Sequence, residues 1–147
     1  MKPSYILLAG TGLAGLAAFA FWVGVQGETS APSDQIAGQA QKSIVPDLVL
    51  PELTDTAQIG KKIFDTACAS CHGANAAGQD GVAPPLVHKI YEPSHHADEA
   101  FQRAAAVGVR AHHWPFGSMP PVEGISRGEV AMITRYIREL QRANGIK

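Results

Sequence analysis

The chain's only two cysteines lie three positions apart and run straight into a histidine, as Cys68-Ala69-Ser70-Cys71-His72. A disulfide between such close neighbours closes a very short loop and constrains little of the unfolded chain, so the pair is not a structural staple. C-x-x-C-H is the spacing of covalent haem attachment. The two thiols add to the two vinyl groups of the haem, and the adjacent histidine projects to the iron from the same side. A thioredoxin-like thiol pair belongs to a βαβ setting, which the sequence does not offer. A structural zinc site needs four ligands, and this single cysteine pair would need histidines to complete it.

A second axial ligand is sought among three methionines. Met1 begins the chain. Met132 falls on an apolar helical stripe and reads as packing. Met119 lies in Gly117-Ser118-Met119-Pro120-Pro121, 47 residues after His72. The two prolines that follow it stiffen the backbone and disfavour helix, which suits a loop holding a weak thioether ligand. His/Met ligation raises the reduction potential relative to a harder ligand. Of the remaining histidines, His88, His95 and His96 read as polar surface residues. The neighbours His112 and His113 lie close enough to Met119 to compete with it or to form a second metal site. Trp114 either bonds a haem propionate or packs in the core. Arg110 reads as a solvated charge.

Around this site the chain divides into three parts. Residues 1–26 contain Ile6 to Val25, twenty residues without a charge, about 30 Å as a helix and enough to cross a bilayer. Lys2 precedes the run and Glu28 is the first charge after it, which places the amino terminus in the cytoplasm. The length favours a retained signal-anchor over a cleaved signal peptide. The expectation is therefore a bacterial inner-membrane protein with its haem domain in the periplasm, or a soluble periplasmic one if the segment is removed. Gly10-Thr11-Gly12-Leu13-Ala14-Gly15 matches a dinucleotide-binding fingerprint. The βαβ context that fingerprint requires is missing, and glycine is common in membrane helices.

Residues 27–52, with Pro32, Pro46 and Pro51 among polar residues, read as a linker. The stretch Ile44 to Leu50 is more apolar and suited to lie extended against the domain. Residues 53–147 form the domain itself. They carry ten basic and nine acidic side chains, so neither nucleic-acid binding nor strong electrostatic steering is expected. About 95 residues make a small core, and a buried haem would supply missing apolar surface.

The domain's periodicities are helical and no segment alternates as a strand, so the fold class is all-α. Asp55 and Gln58 suggest a capping box for a first helix with Ala57, Gly60, Phe64 and Ala67 on one face, running into Cys68. A second helix is expected from Ala97 to Val107, with Phe101 and Ala104 or Ala105 inward and Gly108 as its stop. Ser126-Arg127-Gly128-Glu129 is a capping box for a third. Its apolar stripe is Val130, Ile133, Ile137 and Leu140, widened by Met132 and Tyr136, with Gly145 beyond its end.

From Leu53 to Lys147 the sequence resembles the class I cytochrome c family. Gly60 and Phe64 match the family's glycine and aromatic residue on its first helix, and Tyr136 matches the aromatic on the last, where the two helices cross. Ala83-Pro84-Pro85-Leu86 matches its Gly-Pro-x-Leu segment, with alanine in place of glycine. The resemblance implies that the Pro84 carbonyl accepts a hydrogen bond from His72, orienting the ring and raising its basicity. It also places Met119 where the family has its methionine ligand. The fold implied is that of a small cytochrome c around one covalent haem c. The function implied is one-electron transfer between redox protein partners, with no small-molecule substrate and no catalytic residues. The alternatives are a fixed haem subunit of a larger membrane oxidoreductase, and a haem enzyme or gas sensor with a labile methionine.

Overall fold

Asp55 puts a negative charge in the first turn of α1 (Asp55–Ala67), where the helix dipole favours it. The capping box expected of Asp55 and Gln58 does not form. Thr54 is the N-cap, Asp55 is already helical, and Gln58 Nε2 donates to the Leu53 carbonyl at 3.0 Å. The reason is tertiary. Glu139, 85 residues away, accepts from the Thr54 backbone N–H at 3.0 Å and from the Thr54 hydroxyl at 2.7 Å. A carboxylate from another helix thus occupies the position a local cap would have taken. These contacts belong to a computed structural model that describes residues 42–147, all within one compact unit. The apolar run from Ile6 to Val25, and with it the expected anchor, lies outside the described residues. Among the described residues no helix is long and apolar enough to cross a membrane.

Ala57, Gly60 and Phe64 form the buried face of α1. The chain breaks at Cys68 and re-forms a single turn, α2 (Ala69–His72). Two 3-10 turns follow, Ala74–Ala76 and Lys89–Tyr91, and then α3 (Asp98–Val107) and α4 (Arg127–Ala143). α3 spans almost the expected residues and stops at Gly108. Its fully buried residues are Gln102 and Ala105, while Phe101 and Ala104 are half-buried. α4 opens with the Ser126–Glu129 capping box, both reciprocal bonds present. The described residues contain isolated bridges but no strand. The domain is all-α.

The frame is the contact of α1 with α4. A Cβ on Gly60 would overlap the Met132 carbonyl, so glycine alone lets the two backbones meet. Beside that point Phe64 and Tyr136 pack with ring centroids 5.7 Å apart. Val130, Ile133, Ile137 and Leu140 are buried as their spacing requires, and Met132 is only half-buried. The other side of α4 is also buried, and it is polar. Arg138 donates to Asp98 Oδ1, to the Tyr91 and His96 carbonyls and to Gln141 Oε1, and its guanidinium lies over the Phe101 ring. Gln141 in turn donates to the Leu86 and Tyr91 carbonyls. This side ties residues 86–98 to the frame.

Residues 42–50 run along the domain as the apolar pattern of Ile44 to Leu50 suggests. The Asp80 N–H donates to the Lys42 carbonyl and the Val45 N–H to the Ala77 carbonyl, each at 3.0 Å. Asn144 clasps Val49 through a bond in each direction at 2.9 Å.

Candidate functional site

The break at Cys68 sets up the site. A continuous helix would run from α1 through His72 without a new N-cap. The interruption instead makes Cys68 the N-cap of the one-turn α2, which ends on His72. Gln79 clamps that turn, its amide donating to the Ser70 carbonyl at 2.8 Å and the Cys71 carbonyl at 3.0 Å, with Ala69 at 3.3 Å. The Gly78 N–H closes on the His72 carbonyl at 2.8 Å. Nothing in the sequence pattern singled out Gln79, since a lone glutamine in a turn carries no signal.

His72 is buried, and its Nδ1 stands 2.9 Å from the Pro84 carbonyl. A carbonyl can only accept, so Nδ1 carries the proton and Nε2 keeps its lone pair. Burial holds the imidazole below its ordinary pKa, with the Pro84 bond opposing. The ring is therefore a neutral, oriented nitrogen donor. Ala83, where the resembled family has glycine, does not take the left-handed backbone that would call for glycine.

Both cysteines are free thiols. Burial, followed by the neighbouring Cys71, pushes the Cys68 thiol up to about 11. Reactive cysteines of thiol–disulfide enzymes are shifted the other way, toward thiolate. Cys68 is thus not shifted toward thiolate.

Met119 reaches the same region from a loop. Val109 and Met119 exchange backbone hydrogen bonds, both 2.9 Å, and the Val122 N–H donates to the Ala105 carbonyl at 2.8 Å. The loop is thereby hung on the end of α3. Gly108 makes the close approach possible: its φ is +77°, and a Cβ there would sit 2.5 Å from the Met119 carbonyl oxygen. The two prolines suggested a stiff loop, but the pairing that fixes it was not visible in the sequence.

Cys68, Cys71, His72 and Met119 all line one cavity of about 540 Å³. Pro84 and Trp114 line it too, and Phe64, Phe101, Ile133 and Ile137 give it apolar walls. Trp114 stacks on Phe116, centroids 5.7 Å apart, and meets His88 in a T-shaped contact. Its indole N–H is buried and makes no hydrogen bond among the described residues. Burial pushes the Tyr91 hydroxyl up to about 12, and the neighbouring Trp114 side chain opposes that push. Arg110 also lines the cavity and is exposed.

These features fit a haem. Two thiols and an oriented imidazole lie on one wall, a thioether lies on a second segment, and much of the remaining surface is apolar. The buried Trp114 N–H, on a side chain that lines the cavity, suits an acceptor on a haem rim. Tyr91 was not singled out as a lining residue. Nor did any local pattern signal that His95 and His96 come together with His112 and His113.

Residues 57–141 match the family model described as Cytochrome c. No curated protein matches the chain.

Proposed function

The chain belongs to the cytochrome c family, whose domain implies covalently bound haem c and haem-based electron transfer, and from that premise we propose a one-electron carrier holding a single haem at Cys68 and Cys71, with His72 and Met119 as axial ligands. The observation that carries this reading is the convergence of all four side chains on one largely apolar cavity. When bound, the haem supplies the one-electron couple. The protein's part is orientation and exclusion of water. The Pro84 carbonyl fixes the His72 tautomer and raises the basicity of Nε2. The paired backbone of Val109 and Met119 holds the thioether in place. The apolar walls keep a low-dielectric surround, which tunes the potential. Trp114 offers its buried N–H to a propionate.

In this reading both faces of the iron are occupied, leaving no open position for substrate. Redox partners, a donor and an acceptor, meet the exposed haem edge through a small transient interface. The uncharged run in residues 1–26 supports tethering to a bacterial inner membrane with the domain in the periplasm, or a soluble periplasmic form if that segment is cleaved. The same run favours, as a second reading, a fixed subunit of a membrane oxidoreductase. Copurifying partner subunits would distinguish that from a free shuttle.

The test is the visible spectrum of the purified protein, oxidised and reduced, with and without carbon monoxide. The wild type is expected to be low-spin and unaltered by carbon monoxide, and Met119→Ala to bind it readily while keeping its haem. Ready binding by the wild type would overturn His72/Met119 ligation in favour of a haem enzyme or sensor with a labile ligand.

A further inference from the structure

Four of the chain's six histidines gather beside the cavity, with His96, His112 and His113 lining it, and the electron-carrier reading uses none of them. His95 and His96 come from the turn before α3, and His112 and His113 from the loop that leads to Met119. One ring nitrogen from each of His95, His96 and His113 lies within 4.8 Å of the other two. His95 Nε2 and His113 Nε2 are 3.3 Å apart. Ligand nitrogens around a tetrahedral zinc ion, at Zn–N distances of about 2.0–2.1 Å, stand roughly 3.3 Å from one another. One edge of such a site therefore already has its spacing.

The third histidine is oriented from behind. His96 Nδ1 lies 2.6 Å from the Ile90 carbonyl, so it carries the proton and leaves Nε2 with its lone pair. A ring N–H donated to a backbone carbonyl is the outer contact that metal-ligating histidines characteristically make. The Ile90 carbonyl belongs to the Lys89–Tyr91 turn, and the next carbonyl, of Tyr91, accepts from the buried Arg138. His96 is thus set on a segment fixed to α4. His112 stands differently. Its ring packs on His113 at 4.2 Å and its Nδ1 bonds the Arg110 carbonyl, so it buttresses His113 from outside the trio.

We propose that His95, His96 and His113 form a binding site for a divalent transition-metal ion of the zinc type, with a fourth position left to water. Three imidazoles suit zinc or copper, whereas calcium and magnesium take oxygen ligands. His96 and His113 also line the cavity, so the ion sits on its rim. Formation of the site needs only the third nitrogen to close in from the present spacing, and His95 and His113 are exposed.

The experiment is calorimetric titration of tag-free, purified holoprotein with Zn²⁺ at neutral pH. It is repeated on the His95→Ala/His113→Ala double variant and on His96→Ala. Circular dichroism and the visible spectrum check that each variant keeps its fold. One saturable equivalent is expected in the wild type. The double variant should weaken binding by more than about 100-fold, beyond what loss of a single supporting hydrogen bond gives. The single variant should fall between. A wild type that takes up no stoichiometric Zn²⁺, or a folded double variant that binds as well as the wild type, would overturn the site and leave a hydrogen-bonded histidine pair. The readout does not depend on iron ligation, so its failure is separable from failure of the electron-carrier reading.

Discussion

The two walls of the cavity are built in different ways. The His72 wall rests on helices. α1 delivers Cys68, its crossing with α4 is set backbone to backbone at Gly60, and His72 itself is buried and bonded to Pro84. The Met119 wall is a loop. Met119 is half-buried and its neighbours Ser118 and Pro120 are exposed. Two backbone hydrogen bonds to Val109 and the close approach at Gly108 hold it. The difference teaches that an iron centre here would have one ligand held by buried packing and one held by a local backbone pairing. Local openings of such a pairing lie at the low end of a protein's stability scale.

The largest effect should come from striking the helical wall. Gly60→Val drives a branched side chain into the Met132 carbonyl, a backbone group that cannot turn aside. We expect a loss of about 3 kcal/mol, at the upper end of overpacking costs, seen as a lower urea midpoint that moves together for the helical and haem signals. A variant within about 0.5 kcal/mol of wild type, the usual range of a surface substitution, would mean that the crossing yields and the contrast between the walls is weak. Gly108→Ala strikes the loop wall. Its φ of +77° and ψ of −176° lie in a region open essentially to glycine alone, so the strain should cost about 2 kcal/mol. Here the two signals should separate. Haem stays attached through Cys68 and Cys71 while carbon monoxide gains access to the iron. Equal loss on both signals would show that the loop is as integral as the helices.

The same division marks what the sequence made legible. Gly60, Phe64, the Ser126–Glu129 box and the stripe from Val130 to Leu140 obey local periodicity, and the structure has them as expected. Cys68, Cys71 and His72 stand in a motif whose spacing encodes its chemistry. What escaped notice depends on partners distant in the chain. Arg138, Gln141 and Glu139 look like the polar face of an amphipathic helix, yet they are buried against a carboxylate, carbonyls and a hydroxyl 40 to 85 residues away. The expected cap at Asp55 failed for that reason, because Glu139 takes the Thr54 N–H and hydroxyl. The histidine cluster was hidden likewise, since His95 and His113 meet only after α3 folds back between them.

Glu139 provides the smallest test, and it bears on the helical wall alone. Burial pushes its carboxyl up, but the bonds from Thr54 and Arg135 outweigh burial and hold it below its ordinary value of 4.5. A carboxylate whose pKa is depressed on folding contributes stability that is complete above the unfolded value and is lost as pH falls through the folded one. Acid should therefore loosen the start of α1 below about pH 4.5, with no matching effect at the Val109–Met119 pairing, which is made of backbone groups that do not titrate. Glu139→Gln keeps the shape and one acceptor but removes the charge. We expect it to cost about 1 kcal/mol at pH 7, within the range for a hydrogen bond to a charged group after partial replacement. The gap from wild type should close as the pH drops and the native carboxylate is protonated. Paired thermal melts at pH 7 and pH 3.5 would show it. A gap that stays constant would mean the Thr54 bonds act by geometry alone, and that the helical wall is no more sensitive to acid than the loop.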